Sequence, residues 1–231
     1  MYVRTHPVYG RTHDGWQRRV RRGGQSGPRG TRHRGRCAMS EAPTTSGTST
    51  PRRPRRHDPN RRDRLIDAAL TVIAERGVVG TTHREIARVA DVPLGSMTYH
   101  FTSLDEILVA AFTRHATAAA AVFDQRLASA ADRDAAIEAV IALVCDDLIG
   151  GPQDDLVLAV ELYTAAARNQ ALRTVTQAWM QRSRQALERH FDPTTARELD
   201  ALIEGLTLHS ALSTDPMTPA QVRHAIERYL R

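Results

Sequence analysis

The sequence predicts an all-α protein, and three observations carry that prediction. From Pro59 to Arg231 apolar residues recur at spacings of three and four, the period of a helix with one buried face. Helix-opening residues (Ser, Thr or Asp, often followed by Glu or Pro) and helix-ending Gly and Pro punctuate that pattern. No stretch shows the two-residue alternation of a strand, an internal repeat or a sustained heptad.

Taken in order, Ile66, Ala69, Leu70 and Ile73 form one stripe and predict a first helix over about residues 60–76, stopped by Gly77. Thr82-His83-Arg84-Glu85 reads as a capping box that opens a short second helix, with Ile86, Ala87, Val89 and Ala90 on its buried side. Asp91 accepts the left-handed turn that ends it. Pro93 suits the first turn of a third helix whose Leu94, Met97 and Phe101 face inward. A second capping box, Ser103-Leu104-Asp105-Glu106, starts a long helix that runs to about Ala128. Beyond it come Asp132 or Asp134 to Leu148, closed by Gly150-Gly151-Pro152, then Asp154 to Arg168, then Leu172 to Phe191, ended by Asp192-Pro193. Thr194 to Leu212 carries Leu199, Leu202, Ile203 and Leu206 on one face. The last helix opens at Thr218-Pro219-Ala220-Gln221 and buries Val222, Ile226, Tyr229 and Leu230.

Composition narrows the class. The 231 residues are 41% hydrophobic, enough to bury a core, and no uninterrupted apolar run approaches the roughly 20 residues of a membrane helix, so no membrane span is expected. The two cysteines, Cys37 and Cys145, are too few and too far apart for a disulfide scaffold or a four-Cys zinc module, and a reducing, cytoplasmic setting fits them. Charge divides unevenly. Residues 1–60 hold 14 Arg against Asp14, Glu41 and Asp58, which is +11, and residues 61–231 hold 18 Arg against 23 acids, which is −5; together they give the net +6. Every basic residue is Arg and none is Lys, a usage that reads as the coding bias of a GC-rich genome.

Residues 1–58, rich in Arg, Gly, Pro, Ser and Thr without apolar periodicity, read as a disordered tail. The pairs Arg18-Arg19 and Arg21-Arg22 are followed by GGQSGPRG rather than an apolar segment, so an export signal is not expected. Met39 is an alternative start, which would leave a short basic arm before the fold. Arg52 to Arg62 in that arm can meet DNA phosphates or a minor groove by charge attraction.

Two short helices joined by a turn at Asp91 to Pro93 are what a helix-turn-helix requires. At 100° per residue, Gly95, Ser96, Tyr99 and His100 project opposite the buried side of the third helix. Gly95 permits close approach of backbone to a duplex, and the other three are donors for base edges or phosphates. Thr82 and Arg84 stand at the amino end of the second helix, where the helix dipole favours a phosphate. On spacing alone, a helical hairpin on the surface of some other bundle stays open.

The stretch RLIDAALTVIAERGVVGTTHREIARVADVPLGSMTYHFTSLDEILVAAF, residues 64–112, resembles the DNA-binding domain of TetR-type transcriptional regulators, and the helical remainder resembles them in length and layout. The resemblance implies a helix-turn-helix DNA-binding domain at 59–103, after the tail at 1–58, and a helical effector-binding and dimerisation domain at 104–231. It implies a homodimer on double-stranded operator DNA and a small-molecule effector, with repression relieved by that effector. It places DNA contacts at Thr82, Arg84, Gly95, Ser96, Thr98, Tyr99 and His100, and a core aromatic at Phe101. Three departures bear on it: Asp91 stands where the family usually has Gly, Thr98 where it has a phosphate-contacting Tyr, and Leu104 where it has Lys. Tyr99 is then the substitute for that tyrosine.

The helices that the family uses for its pocket carry Phe112, His115, Phe123, Cys145, Tyr163, Trp179 and Met180, each equally readable as ordinary core packing. The last two helices are expected to make the dimer through Leu199, Leu202, Leu206, Val222, Ile226 and Leu230. Cys145 reads as a small buried residue, Asp146, Asp147, Asp154 and Asp155 as solvated helix-end acids, and His209 as an interface contact. No G-x-S-x-G, H-E-x-x-H, phosphate-binding glycine loop or paired-Cys motif is present, so no catalytic residue, metal or cofactor is expected. A helical ligand-binding or adaptor protein without DNA binding is the alternative function, motivated by Thr98 and Leu104.

Overall fold

In the computed structural model residues 59–231 are described. The expectations for the tail, for Met39 and for the arm through Arg56 lie outside them.

Helix α1, Arg61–Arg76, buries Leu65, Ile66, Ala69, Leu70 and Ile73 and ends at Gly77, whose φ of 69° and ψ of 173° belong to glycine. Helix α2, His83–Val89, is capped by Thr82, whose hydroxyl accepts the Glu85 N–H at 3.2 Å. The reciprocal arm of a capping box is absent there, because the Glu85 carboxylate pairs with Arg76 and Arg88. Asp91 is left-handed as expected, with φ 53°. A tight 3-10 turn, Leu94–Ser96, runs into α3, Met97–His100. Helix α4, Leu104–Ala128, is capped by Ser103, and its Glu106 carboxylate reaches back one residue further than a capping box, to Thr102.

Helix α5, Arg133–Ala142, widens into a π-helical stretch, Leu143–Ile149, where a single helix to Leu148 was expected. In the wider turns Leu143 and Val144 are both buried, and Asp147 accepts two hydrogen bonds from Arg126 at 2.5 and 2.9 Å. Helix α6 is Gln153–Ala166 and α7 is Gln170–Leu187. Asn169 starts α7 earlier than expected by accepting the Ala171 and Leu172 N–H groups, and α7 stops short of Phe191, which turns in to be buried. Asp192 caps α8, Pro193–Leu212. Thr218 and Gln221 make the one reciprocal capping box seen among the described residues, opening α9, Pro219–Leu230.

Two apolar cores result. The first joins α1, α2 and α3 to the front of α4, to α6 and to the start of α7; the second joins the rear of α4, α5, the end of α7, α8 and α9. Leu65, Phe101, Phe112, Leu162 and Leu172 share the first, so residue 103 is not a break in packing. Helices α4 and α7 run side by side and carry both. By length and average composition alone α4 could cross a membrane, with a mean hydropathy of 1.2 over 18 residues, although Arg114 and Asp124 interrupt its apolar sequence. Here it is a core helix: Ile107, Ala111, Phe112, Ala120 and Leu127 are all buried by its neighbours.

Candidate functional site

The helix-turn-helix is fastened at its corner. The Val92 N–H donates to Ala87 O at 3.0 Å and the Arg64 guanidinium to Ala90 O at 2.6 Å, which closes the end of α2 against α1. Met97 and Phe101 are buried, and Arg62 lies over the Phe101 ring at 4.9 Å. The opposite side is open: Tyr99 is 85% exposed with His100 edge-on at 5.0 Å, and Gly95 and Thr98 are exposed. A Cβ on Gly95 would meet nothing within 4 Å. Leu94, expected to face inward, is instead 52% exposed, because it sits at the first residue of the turn, ahead of the part of the helix that packs.

Two hydroxyls are already engaged. Ser96 Oγ donates to Pro93 O at 2.6 Å and Thr98 Oγ1 to Gly95 O at 3.2 Å, which leaves their lone pairs for an incoming donor. Thr82 and Arg84 are exposed at the head of α2, but Thr82 uses one of the open N–H groups there for its own cap.

Side chains from the later helices hold this unit. The Glu161 carboxylate of α6 accepts the Val78 N–H at 2.7 Å and lies 3.0 Å from where a Cβ on Gly77 would stand. Arg114 of α4 bridges Asp63 and Asp67 of α1.

The residues expected to line a ligand pocket divide between the two cores. Phe123 and Cys145 belong to the second, away from the rest, and burial pushes the Cys145 thiol upward in pKa. Phe112 is fully buried in the first. His115, Tyr163 and Trp179 do come together: the Tyr163 and Trp179 rings are parallel within 5° at 5.7 Å, and His115 stands edge-on to Trp179 at 5.8 Å. Burial lowers the His115 pKa to about 4, so the ring is neutral near pH 7, and its Nε2 is buried without a hydrogen bond.

Sequence reasoning missed the acids around these rings. Tyr163 donates to Glu204 at 3.0 Å, Asp200 lies 3.9 Å from Arg184, and Asp155 lies 3.7 Å from His115 Nδ1. Burial raises all three carboxyls, Asp200 to about 6. Asp155 is therefore not the purely solvated helix-end acid expected of it, and neither is Asp147 beside Arg126. The usable signal was the i, i+4 spacing of Asp200 and Glu204 flanking an apolar stripe.

The expected dimer contacts need correction. Leu199, Leu206, Val222 and Ile226 are buried within the second core of the same chain, and Leu202 and Leu230 are half-buried against it. The inward stripe of α8 is Ala196, Leu199, Ile203, Leu206 and Ser210; its outward side shows His209 and Leu212, the latter 71% exposed. Among the described residues no group of three or more His, Cys, Asp or Glu could hold a metal.

An exposed recognition turn braced by a helical bundle defines a helix-turn-helix regulator of transcription. Residues 65–111 match the bacterial regulatory proteins of the tetR family, and residues 131–231 match the tetracyclin repressor-like carboxy-terminal domain. The transcriptional regulator BetI of Burkholderia mallei (strain NCTC 10229) is 32% identical over 167 residues, 68% of this chain and 85% of its own. Among solved structures, the regulator SCO7518 of Streptomyces coelicolor A3(2) is 55% identical at a TM-score of 0.71, covering 74% of this chain and 98% of its own. The multidrug binding protein EbrR, in complex with ethidium, is 36% identical at a TM-score of 0.63, covering 73% of this chain and 98% of its own. The chain belongs to the TetR family of transcriptional regulators, whose members bind operator DNA, dimerise and bind small molecules.

Proposed function

We propose that this protein is a cytoplasmic, homodimeric repressor that holds a two-fold operator until a small organic molecule enters its carboxy-terminal helices. Residues 59–103 form the DNA-binding unit and 104–231 the effector-binding and dimerising unit. Thr82, Arg84, Gly95, Ser96, Thr98, Tyr99 and His100 meet the duplex, and the exposed Leu94 adds an apolar contact suited to a thymine methyl. The observation that carries this reading is the division of labour across α3 and its C-cap, where Met97 and Phe101 are buried and Tyr99 is exposed.

Two such units about 34–36 Å apart read successive major grooves. We place the dimer contact on the outward side of α8, around Leu208, His209 and Leu212, since the inward side is already occupied. The effector acts by population shift, favouring a dimer whose reading helices are wrongly spaced. EbrR, a relative that binds ethidium, supports a small organic effector here. A mobility-shift titration with the DNA flanking the coding region tests the reading: one saturable, two-fold footprint is expected, and salt-sensitive binding without sequence preference would refute it.

A further inference from the structure

The unit that reads the duplex brings almost no net charge of its own to it. Residues 59–103 hold six Arg against five acids, a net of +1, and residues 104–231 hold 12 Arg against 18 acids, a net of −6. Most of the six are already engaged. Arg64 donates to Ala90 O at 2.6 Å, Arg76 and Arg88 share the Glu85 carboxylate at 3.2 and 3.0 Å, and Arg62 lies over the Phe101 ring at 4.9 Å. Arg84 is exposed at the head of α2.

A duplex presents one negative charge per about 1.7 Å of its axis, and affinity at moderate salt comes largely from the counterions released as cations neutralise phosphates. A reading unit of charge +1 on a bundle of charge −6 releases few of them. The missing charge lies just ahead of the described residues, in Pro51-Arg52-Arg53-Pro54-Arg55-Arg56-His57-Asp58, with four Arg against one acid. Chain length holds it close. Arg56 is six residues before Arg62, at most roughly 20 Å of backbone, and Arg62 lies over Phe101, the residue that closes recognition helix α3. The acids of the bundle compete poorly for it, since Glu138, Asp147 and Asp124 already pair with Arg223, Arg126 and Arg189.

Resting on the reading that this protein holds operator DNA, we propose that Arg52, Arg53, Arg55 and Arg56 form a phosphate-binding arm that supplies the electrostatic part of operator affinity, while the recognition turn supplies the choice of sequence. Phosphate contacts position a protein without carrying base information, so the arm adds equally to the binding of operator and of unrelated DNA. A homodimer brings two arms. One phosphate per arm then adds about 2 to the magnitude of the slope of log K against log salt, at about 0.9 per phosphate.

The test titrates full chains at several salt concentrations onto a duplex from the DNA flanking the coding region and onto an unrelated duplex of equal length. Wild type is compared with Arg52→Gln, Arg53→Gln, Arg55→Gln and Arg56→Gln combined, and with the same four residues changed to Lys. The Gln variant is expected to lose about 2 or more from the slope and to bind both duplexes about tenfold or more weakly near about 0.1 M salt, with the same preference between them. The Lys variant, which keeps the charge, keeps the slope. Thermal melts confirm that all three are folded. An unchanged slope in the Gln variant overturns the proposal, as does tighter binding, which would put the arm on the acidic helices instead. A changed preference between the duplexes, or a Lys variant that behaves like the Gln variant, overturns it in favour of an arm that reads bases. Absence of any preference between the duplexes in wild type refutes the sequence-specific reading, and the slopes on the unrelated duplex still decide the arm.

Discussion

The recognition turn and α8 solve the same packing problem with opposite results. In the recognition turn, Met97 on α3 and Phe101 just after it go into the core, and Tyr99 between them is almost fully exposed. On α8, Leu199, Ile203 and Leu206 go into the core, and Asp200 and Glu204 are drawn partly under with them, against Tyr163 and Arg184. A short helix at the edge of a bundle keeps its polar side chains hydrated. A long helix inside the bundle desolvates them, which raises the Asp200 and Glu204 carboxyl pKa values.

The sharpest way to break the comparison is to put a charge on each side of the second core. Ile226→Asp buries an unpaired carboxylate at a fully buried position and is expected to cost more than about 4 kcal/mol and unfold the chain. Leu212→Asp, at an exposed position, is expected to leave the melting temperature within a few degrees and shift sedimentation from dimer to monomer. If Leu212→Asp stays dimeric, the contact lies elsewhere.

Within the recognition turn the same contrast is expected between neighbours. Phe101→Ala should cost about 3–5 kcal/mol of stability, felt by the whole first core because Phe101 packs in one cluster with Phe112 and Leu162. Tyr99→Ala should leave the melt unchanged and weaken operator binding by about 1–3 kcal/mol. Similar melting losses for both would mean that α3 is rotated from the orientation described.

Gly77→Ala sharpens how the two regions are joined. Its backbone lies in a region essentially closed to other residues, and the new Cβ would crowd the Glu161 carboxylate, so a cost of about 1–3 kcal/mol is expected in urea unfolding. A cost near zero would show that the backbone at residue 77 relaxes out of this conformation without loss.

The smallest expected effect is one of pH. Folded Asp200 keeps its proton up to about pH 6, against 3.8 for an ordinary aspartate, so over that window the folded state binds more protons and this group's contribution to stability is lost as pH rises. Asp200→Asn should therefore gain stability relative to wild type between about pH 4 and 6 and hold the gain above. His115 acts in the opposite sense: its pKa falls from 6.5 to about 4, so its contribution rises with pH over nearly the same range. The two offset each other in wild type, and denaturant melts of the variant across this range should show a steeper rise. A parallel profile would place Asp200 in better-hydrated surroundings.

Helix count, most helix ends, the left-handed Asp91 and the outward set on the recognition turn were legible in the sequence. They depend on contacts within a few residues: a cap on the next turn, a stripe at three and four, a turn between two short helices. The reciprocal arms of two capping boxes were not legible, because Glu85 found Arg76 on α1 and Glu106 found Thr102. The dimer leucines were misplaced for a related reason. An apolar stripe shows that a face is buried but not by what, and only the packing of α8 and α9 against α5 and α7 reveals that Leu199, Leu206, Val222 and Ile226 are covered by their own chain. The cluster of His115, Asp155, Tyr163, Trp179, Asp200 and Glu204 comes from four helices far apart in the chain. Local spacing joins only Asp200 to Glu204; the crossing of α4, α6, α7 and α8 brings the rest to them, and tertiary structure alone decided that.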